Sequence, residues 1–99
     1  MNHVVEVVTF KLKSDIDEAA FLEAAEATFE LLKGYDGYIK RELTVSEDQQ
    51  WVDIVHWRDM ETALKAANDI MQSDIGTKFG GMIDPNSMQM YHVAPKIQG

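Results

Sequence analysis

Three histidines, His3, His56 and His92, and no cysteine bound the chemistry open to this sequence. Without a thiol there is no disulfide, thiolate nucleophile, iron–sulfur cluster or cysteine-based zinc site. An imidazole is then the natural group to move a proton near neutral pH. His56, just before the start of a helix, is the candidate catalytic base; the alternative is a buried histidine bonded to backbone or to a carboxylate. The three imidazoles match no metal-binding motif, and no metal site is assigned. Arg41 is a candidate to bind a carboxylate or phenolate ligand, or else to pair with a nearby acid. His92, Phe21, Phe79 and Met82 complete the candidate ligand-binding set, the last three as lining of an apolar pocket or as plain core. Gly80-Gly81 lacks the lysine and spacing of a phosphate loop. No Ser-His-Asp arrangement and no nucleotide fingerprint can be read.

These side chains belong to a chain of 99 residues, enough for a single domain over 1–99. Nine basic against 17 acidic residues give a net charge of −8. Nucleic acid is therefore a poor partner, since phosphate binding needs a basic patch. Hydrophobic residues at 45% and charged residues at 26% are those of an ordinary globular chain. The start lacks the pattern of a signal peptide, and no apolar run reaches the ~20 residues of a membrane helix. The expected location is the cytoplasm, with no membrane partner.

Residues 3–12, HVVEVVTFKL, read as a strand. Residues 15–33 read as a helix capped by Asp15 with Glu18, with Phe21, Ala24, Ala25, Thr28, Leu31 and Leu32 inward. Gly34 marks its end. Residues 38–46 and 51–57 form a hairpin across a polar turn. Asp59 caps a second helix over 60–72, and a short helical piece follows between 73 and 82. Residues 87–93 are the last strand. The order β-α-β-β-α-β predicts an α+β fold: a four-stranded antiparallel sheet, order 4-1-3-2, with two helices on one face.

Two helices cover one side of the sheet only. The cleaner apolar set, Val5, Val7, Ile39, Leu43, Val52, Ile54, Met88 and Met90, is expected beneath them. The opposite set then includes Val4, Glu6, Val8, Phe10, Tyr38, Lys40, Glu42, Trp51, Asp53, Val55, Trp57 and Tyr91. Such a face is too aromatic to stay wet, so a second copy should cover it. Glu6, Phe10, Tyr38, Trp51, Asp53 and Trp57 are the expected homodimer interface, with Glu6, Asp53 and Lys40 pairing within or across subunits. An acid–base role for these charges is the alternative.

The first strand VVEVVTFKLK, Gly37-Tyr38-Ile39-Lys40-Arg41, WVDIVHW over 51–57, the alanine-rich second helix and Met88-Gln89-Met90-Tyr91-His92 together resemble the dimeric α/β-barrel superfamily. The resemblance covers nearly the whole chain. It implies a ferredoxin-like subunit whose sheet pairs with another to make a barrel. The chain looks like the antibiotic-biosynthesis-monooxygenase and stress-responsive barrel members, and most like small bacterial barrels without an established activity. Haem-degrading relatives carry an Asn on the first strand and a Trp and His near the second helix. Here those places hold no Asn after Asn2, Leu64, Ala66 and Ala67 instead of Trp, and Thr77, Lys78 and Phe79 instead of His.

Two functions follow. One is a barrel binding a small aromatic or apolar molecule, as a cofactor-independent monooxygenase whose deprotonated substrate supplies the electrons. The other is a non-enzymatic stress-related or regulatory binding module. A polar-lined cavity of a few hundred Å³ between helices and sheet points to the first, and a dry packed interior to the second.

Overall fold

A computed structural model describes residues 3–98. Strand β1 (Val4–Phe10) leads into helix α1 (Glu18–Leu32), then the hairpin of β2 (Tyr38–Val45) and β3 (Trp51–Trp57). Helices α2 (Met60–Met71) and α3 (Asp74–Gly80) follow, and β4 (Gln89–Val93) closes the sheet. The sheet order is β2-β3-β1-β4, antiparallel throughout, which is the topology expected from the sequence. The short piece after residue 73 is a third helix.

Each helix starts on a side chain that accepts from an otherwise unpaired backbone N–H. Asp59 takes the Thr62 N–H at 2.8 Å and Ser73 takes that of Gly76 at 3.0 Å. The cap of α1 is Asp17, which accepts from Ala20, rather than Asp15. Asp15 is used up in a turn closed by the Ile16 N–H to Lys13 O bond, so the helix begins later. Gly76 allows α3 to turn sharply off α2, because a Cβ there would lie 1.8 Å from the Ile70 carbonyl oxygen. Gly37, at φ 101°, leads into β2 in a backbone region that favours glycine.

The helices do cover one face, but not the expected one. Cross-strand partners share a face. Val4 pairs with Trp57, Glu6 with Val55, Val8 with Asp53 and Phe10 with Trp51. These residues form the helix side: Val4, Val55 and Trp57 pack with Leu32, Ala63 and Ala66, and Phe10 and Trp51 pack with Phe21 and Ile83. Val5, Val7, Val52 and Ile54 lie on the opposite, uncovered face. Two forces decide the orientation. The largest rings gain most from burial under helices, and the charges among them find partners, which removes the objection to burying them.

A register shift between Tyr38 and Lys40 changes the parity of β2. It brings both Tyr38, packed edge-on against Trp57, and Arg41 to the helix side. Of the expected interface set, Phe10, Trp51, Asp53 and Trp57 are therefore buried within the subunit, and Glu6 and Tyr38 face the same interior. Leu43, by contrast, is helix-facing as expected, while Lys40 and Glu42 face outward.

Candidate functional site

Between the helices and the sheet lies a cavity of about 300 Å³. Its floor is Glu6, Val8, Phe10, Asp53, Val55 and Trp57 of β1 and β3. Leu32, Ile70 and Phe79 roof it. Met71, Met88 and Met90 also line it and are at least 44% exposed, so they mark its mouth beside the edge strand β4. Methionine suits such a rim, because an unbranched thioether adapts to ligands of different outline.

Four polar side chains reach the lining: Glu6, Thr28, Arg41 and Asp53. Three of them are committed to one another. Arg41 holds Asp53 in a two-pronged pair, Nε to Oδ1 at 2.9 Å and Nη2 to Oδ2 at 2.7 Å. Its Nη1 donates to Thr28 Oγ1 at 2.9 Å and to the Ala25 carbonyl at 3.3 Å. Phe79 lies over the guanidinium at 5.7 Å. The Arg41 and Asp53 side chains are only 6% and 10% exposed. Geometry this complete is what a buried ion pair needs to offset its desolvation. Arg41 thus pairs with an acid, the alternative to anion binding left open by the sequence.

Glu6 differs. Its Oε2 lies 2.9 Å from Nε2 of His92, directly across the β1–β4 ladder. Among the described residues its Oε1 has no hydrogen-bond partner. Burial raises the Glu6 carboxyl above its ordinary pKa, against the lowering effect of the His92 hydrogen bond and charge; Asp53 pushes it further up and Arg41 pulls it down. The site therefore presents one carboxyl group braced by an imidazole, beside a closed Arg41–Asp53–Thr28 cluster, in a largely apolar chamber.

The remaining candidates divide. Phe79 lines the cavity. Phe21 lies behind it, stacked on Phe79 with ring centres 5.0 Å apart and fully buried against Trp51. Met82 packs on that same cluster. His56 is on the uncovered face of β3, opposite the cavity, where its Nδ1 lies 3.3 Å from Nε2 of His3. Burial, with help from Lys40 and His3, holds its pKa below the ordinary value. His92 is on the other side of the sheet, so the three histidines do not cluster. Among the described residues no group of three potential ligands is placed to hold a metal. His56 does not line this cavity, so the base role read from the sequence is not served by it. Glu6, read as an interface charge, is the acid on the cavity wall that is not paired with a guanidinium and keeps one oxygen without a hydrogen-bond partner among the described residues. The missed signal was pairing: acids on β1 and β3 with a His and an Arg on the flanking strands.

No family model and no curated protein sequence matches this chain. Solved structures do. The chain superimposes on SnoaB, a cofactor-independent oxygenase from Streptomyces nogalater, with a TM-score of 0.81 over 99% of this chain and 97% of that one, at 14% identity. It superimposes on Rv0793 from Mycobacterium tuberculosis with a TM-score of 0.75, 16% identity, and 98% of each chain covered. A Bordetella bronchiseptica protein provisionally named an antibiotic biosynthesis monooxygenase gives the same score and identity. The fold is that of the antibiotic-biosynthesis-monooxygenase-like proteins. At these identities the likeness is one of architecture. Among the described residues no helix is long and apolar enough to cross a membrane.

Proposed function

We propose that this protein binds a small hydroxylated aromatic in the helix-side cavity and oxidises it with molecular oxygen, without a cofactor. The observation that carries the reading is a cavity of about 300 Å³, walled by aromatic and aliphatic side chains around one carboxylate not neutralised by a guanidinium. That size sits at the low end for small-molecule sites, suited to fused rings and too small for a large cofactor with its substrate. Apolar walls exclude water once the ring is seated. A deprotonated electron-rich ring then supplies its own electrons. For a 1,4-dihydroxyaromatic, substrate and O2 give the hydroxyquinone and water: one oxygen atom enters the ring and the other leaves as water. The likeness to a cofactor-independent oxygenase fold supports this reading.

The working unit is a homodimer in the cytoplasm. Val5, Val7, Val52, Ile54, Tyr91 and Val93 form the apolar face that no helix covers, and Tyr91 and Val93 stay 49% and 46% exposed in the single chain. A second copy of the same face would bury it around a two-fold axis.

Oxygen uptake with naphthalene-1,4-diol tests the activity. The expected result is uptake above the protein-free rate, mole for mole with formation of the hydroxyquinone. Equal rates with and without protein, with quinone and hydrogen peroxide as the products, contradict it.

A further inference from the structure

We propose that Glu6 is the proton acceptor of this site, its Oε1 taking the hydroxyl proton of the bound aromatic while His92 fixes the carboxylate from behind through Oε2. The assignment rests on the oxygenase reading above and adds to it the group that starts the reaction.

The argument is one of elimination and geometry. A hydroxyaromatic in the cavity meets four polar side chains. Arg41, Asp53 and Thr28 satisfy one another: Arg41 spends three hydrogen bonds on the two partners and a fourth on the Ala25 carbonyl. Taking either ion from that pair would strand the other in a buried place. Glu6 keeps one oxygen unbonded among the described residues and lines the same wall. The antiparallel register fixes Glu6 and His92 opposite each other on rigid strands, so the bond at 2.9 Å holds the carboxylate in one orientation. The step is a proton transfer: the O–H bond of the substrate breaks, its electron pair stays on the ring oxygen, and the proton joins the Glu6 carboxylate. The phenolate so formed is the electron donor to O2. The same arrangement selects ligands. A neutral hydroxyl is accepted, whereas an aromatic carboxylate would face Glu6 and be repelled.

Other groups set the ionisation of Glu6: His92 of β4, Asp53 of β3 and Arg41 of β2. The helices contribute Thr28 and otherwise apolar side chains to the cavity. Burial holds the carboxyl above its ordinary pKa, which brings it closer to the strength a general base needs near neutral pH.

Steady-state oxygen uptake with naphthalene-1,4-diol across pH tests this. In the native protein, kcat/KM should fall on the acid side as Glu6 takes up a proton. Glu6→Gln should lose about 10²–10⁴-fold in kcat, keep KM within about threefold, and lose the acid limb. His92→Leu removes the bond and charge that hold the Glu6 carboxyl down, so its acid limb should move to higher pH. That displacement keeps the proposal open to refutation even if Glu6→Gln does not fold. A Glu6→Gln protein with native kcat and an intact acid limb overturns the role of Glu6 and leaves the oxygenase reading standing. An acid limb unmoved in His92→Leu overturns the positioning role of His92 and the dyad with it. Native protein that takes up no oxygen above the blank overturns both the dyad and the reading it rests on.

Discussion

The two faces of the sheet are built from strands of the same composition, yet they handle charge in opposite ways. The helix side buries Asp53 and Arg41 beneath aromatic rings and braces Glu6 with His92. The uncovered side carries a valine and isoleucine field, with His56, His3, Lys40 and Glu42 toward one end. A wet, polar outer face and a dry, apolar inner one would be the simpler division. The inversion has a physical reason. A charge deep in the fold is tolerable when its partner is fixed on the neighbouring strand at hydrogen-bond distance. An apolar face is tolerable when an identical one covers it. On the proposed reading, one face serves a ligand and the other a second copy.

The sharpest way to break this division is at Arg41. Arg41→Met leaves Asp53 buried without its partner, and the expected loss is about 3–5 kcal/mol of stability. On a domain of this size that lowers the melting temperature by well over 10 °C, as calorimetry would show. The double variant Arg41→Met, Asp53→Leu should recover much of the loss, because the unpaired charge is gone. If the single variant melts like the native protein, the helix side does not depend on its ion pair.

Next in size is the outer face. Ile54→Lys puts a charge into the centre of the proposed subunit interface and nowhere near the cavity. Sedimentation should show a folded monomer at concentrations where the native protein is dimeric, with affinity reduced by about 10²-fold or more. A native protein that sediments as a monomer would instead leave that face to solvent.

Smaller effects come from pH. The Glu6 carboxyl titrates above its ordinary 4.5 in the fold, so the folded state holds the proton longer than the unfolded one. Stability is therefore given up as pH rises from the unfolded value through the folded one, and stays given up above it. Glu6→Gln should melt higher at neutral pH, with the difference closing below the ordinary carboxylate value of 4.5 as both states of the native chain become protonated. His56 shifts the other way. Its folded pKa lies below 6.5, so stability is full above that value and is lost as pH falls below it. His56→Gln should flatten this mild-acid loss, and it is the smallest change of the four.

The elements themselves could be read from the chain. The alternation in WVDIVHW gave β3 with its correct ends, Asp59 marked the start of α2, and the β-α-β-β-α-β order led to the observed strand order. Which face the helices cover could not be read in the same way. Period-two alternation divides a strand into two sets without saying which is inside. Apolar purity points the aromatic set outward, because that set carries Glu6 and Asp53. Side-chain volume would have been the better guide: Trp51, Trp57 and Phe10 outweigh the valines they were weighed against. The bulge at Tyr38 and Lys40 carries no glycine or proline that would have announced it. The candidate site suffered from the same inversion. Phe79 lines the cavity and Phe21 lies just behind it, but His56 is on the uncovered face and Glu6, an interface charge on sequence grounds, lines the cavity.

The two-face account meets its most direct test in a methyl-resolved NMR titration of the protein with naphthalene-1,4-diol under anaerobic conditions. Methyl signals of Val8, Val55, Ile70, Ile83 and Met90 should move together and saturate, while those of Val5, Val7, Val52 and Ile54 stay in place. Shifts confined to the second group, or none in either, would contradict the assignment of the helix side to the ligand.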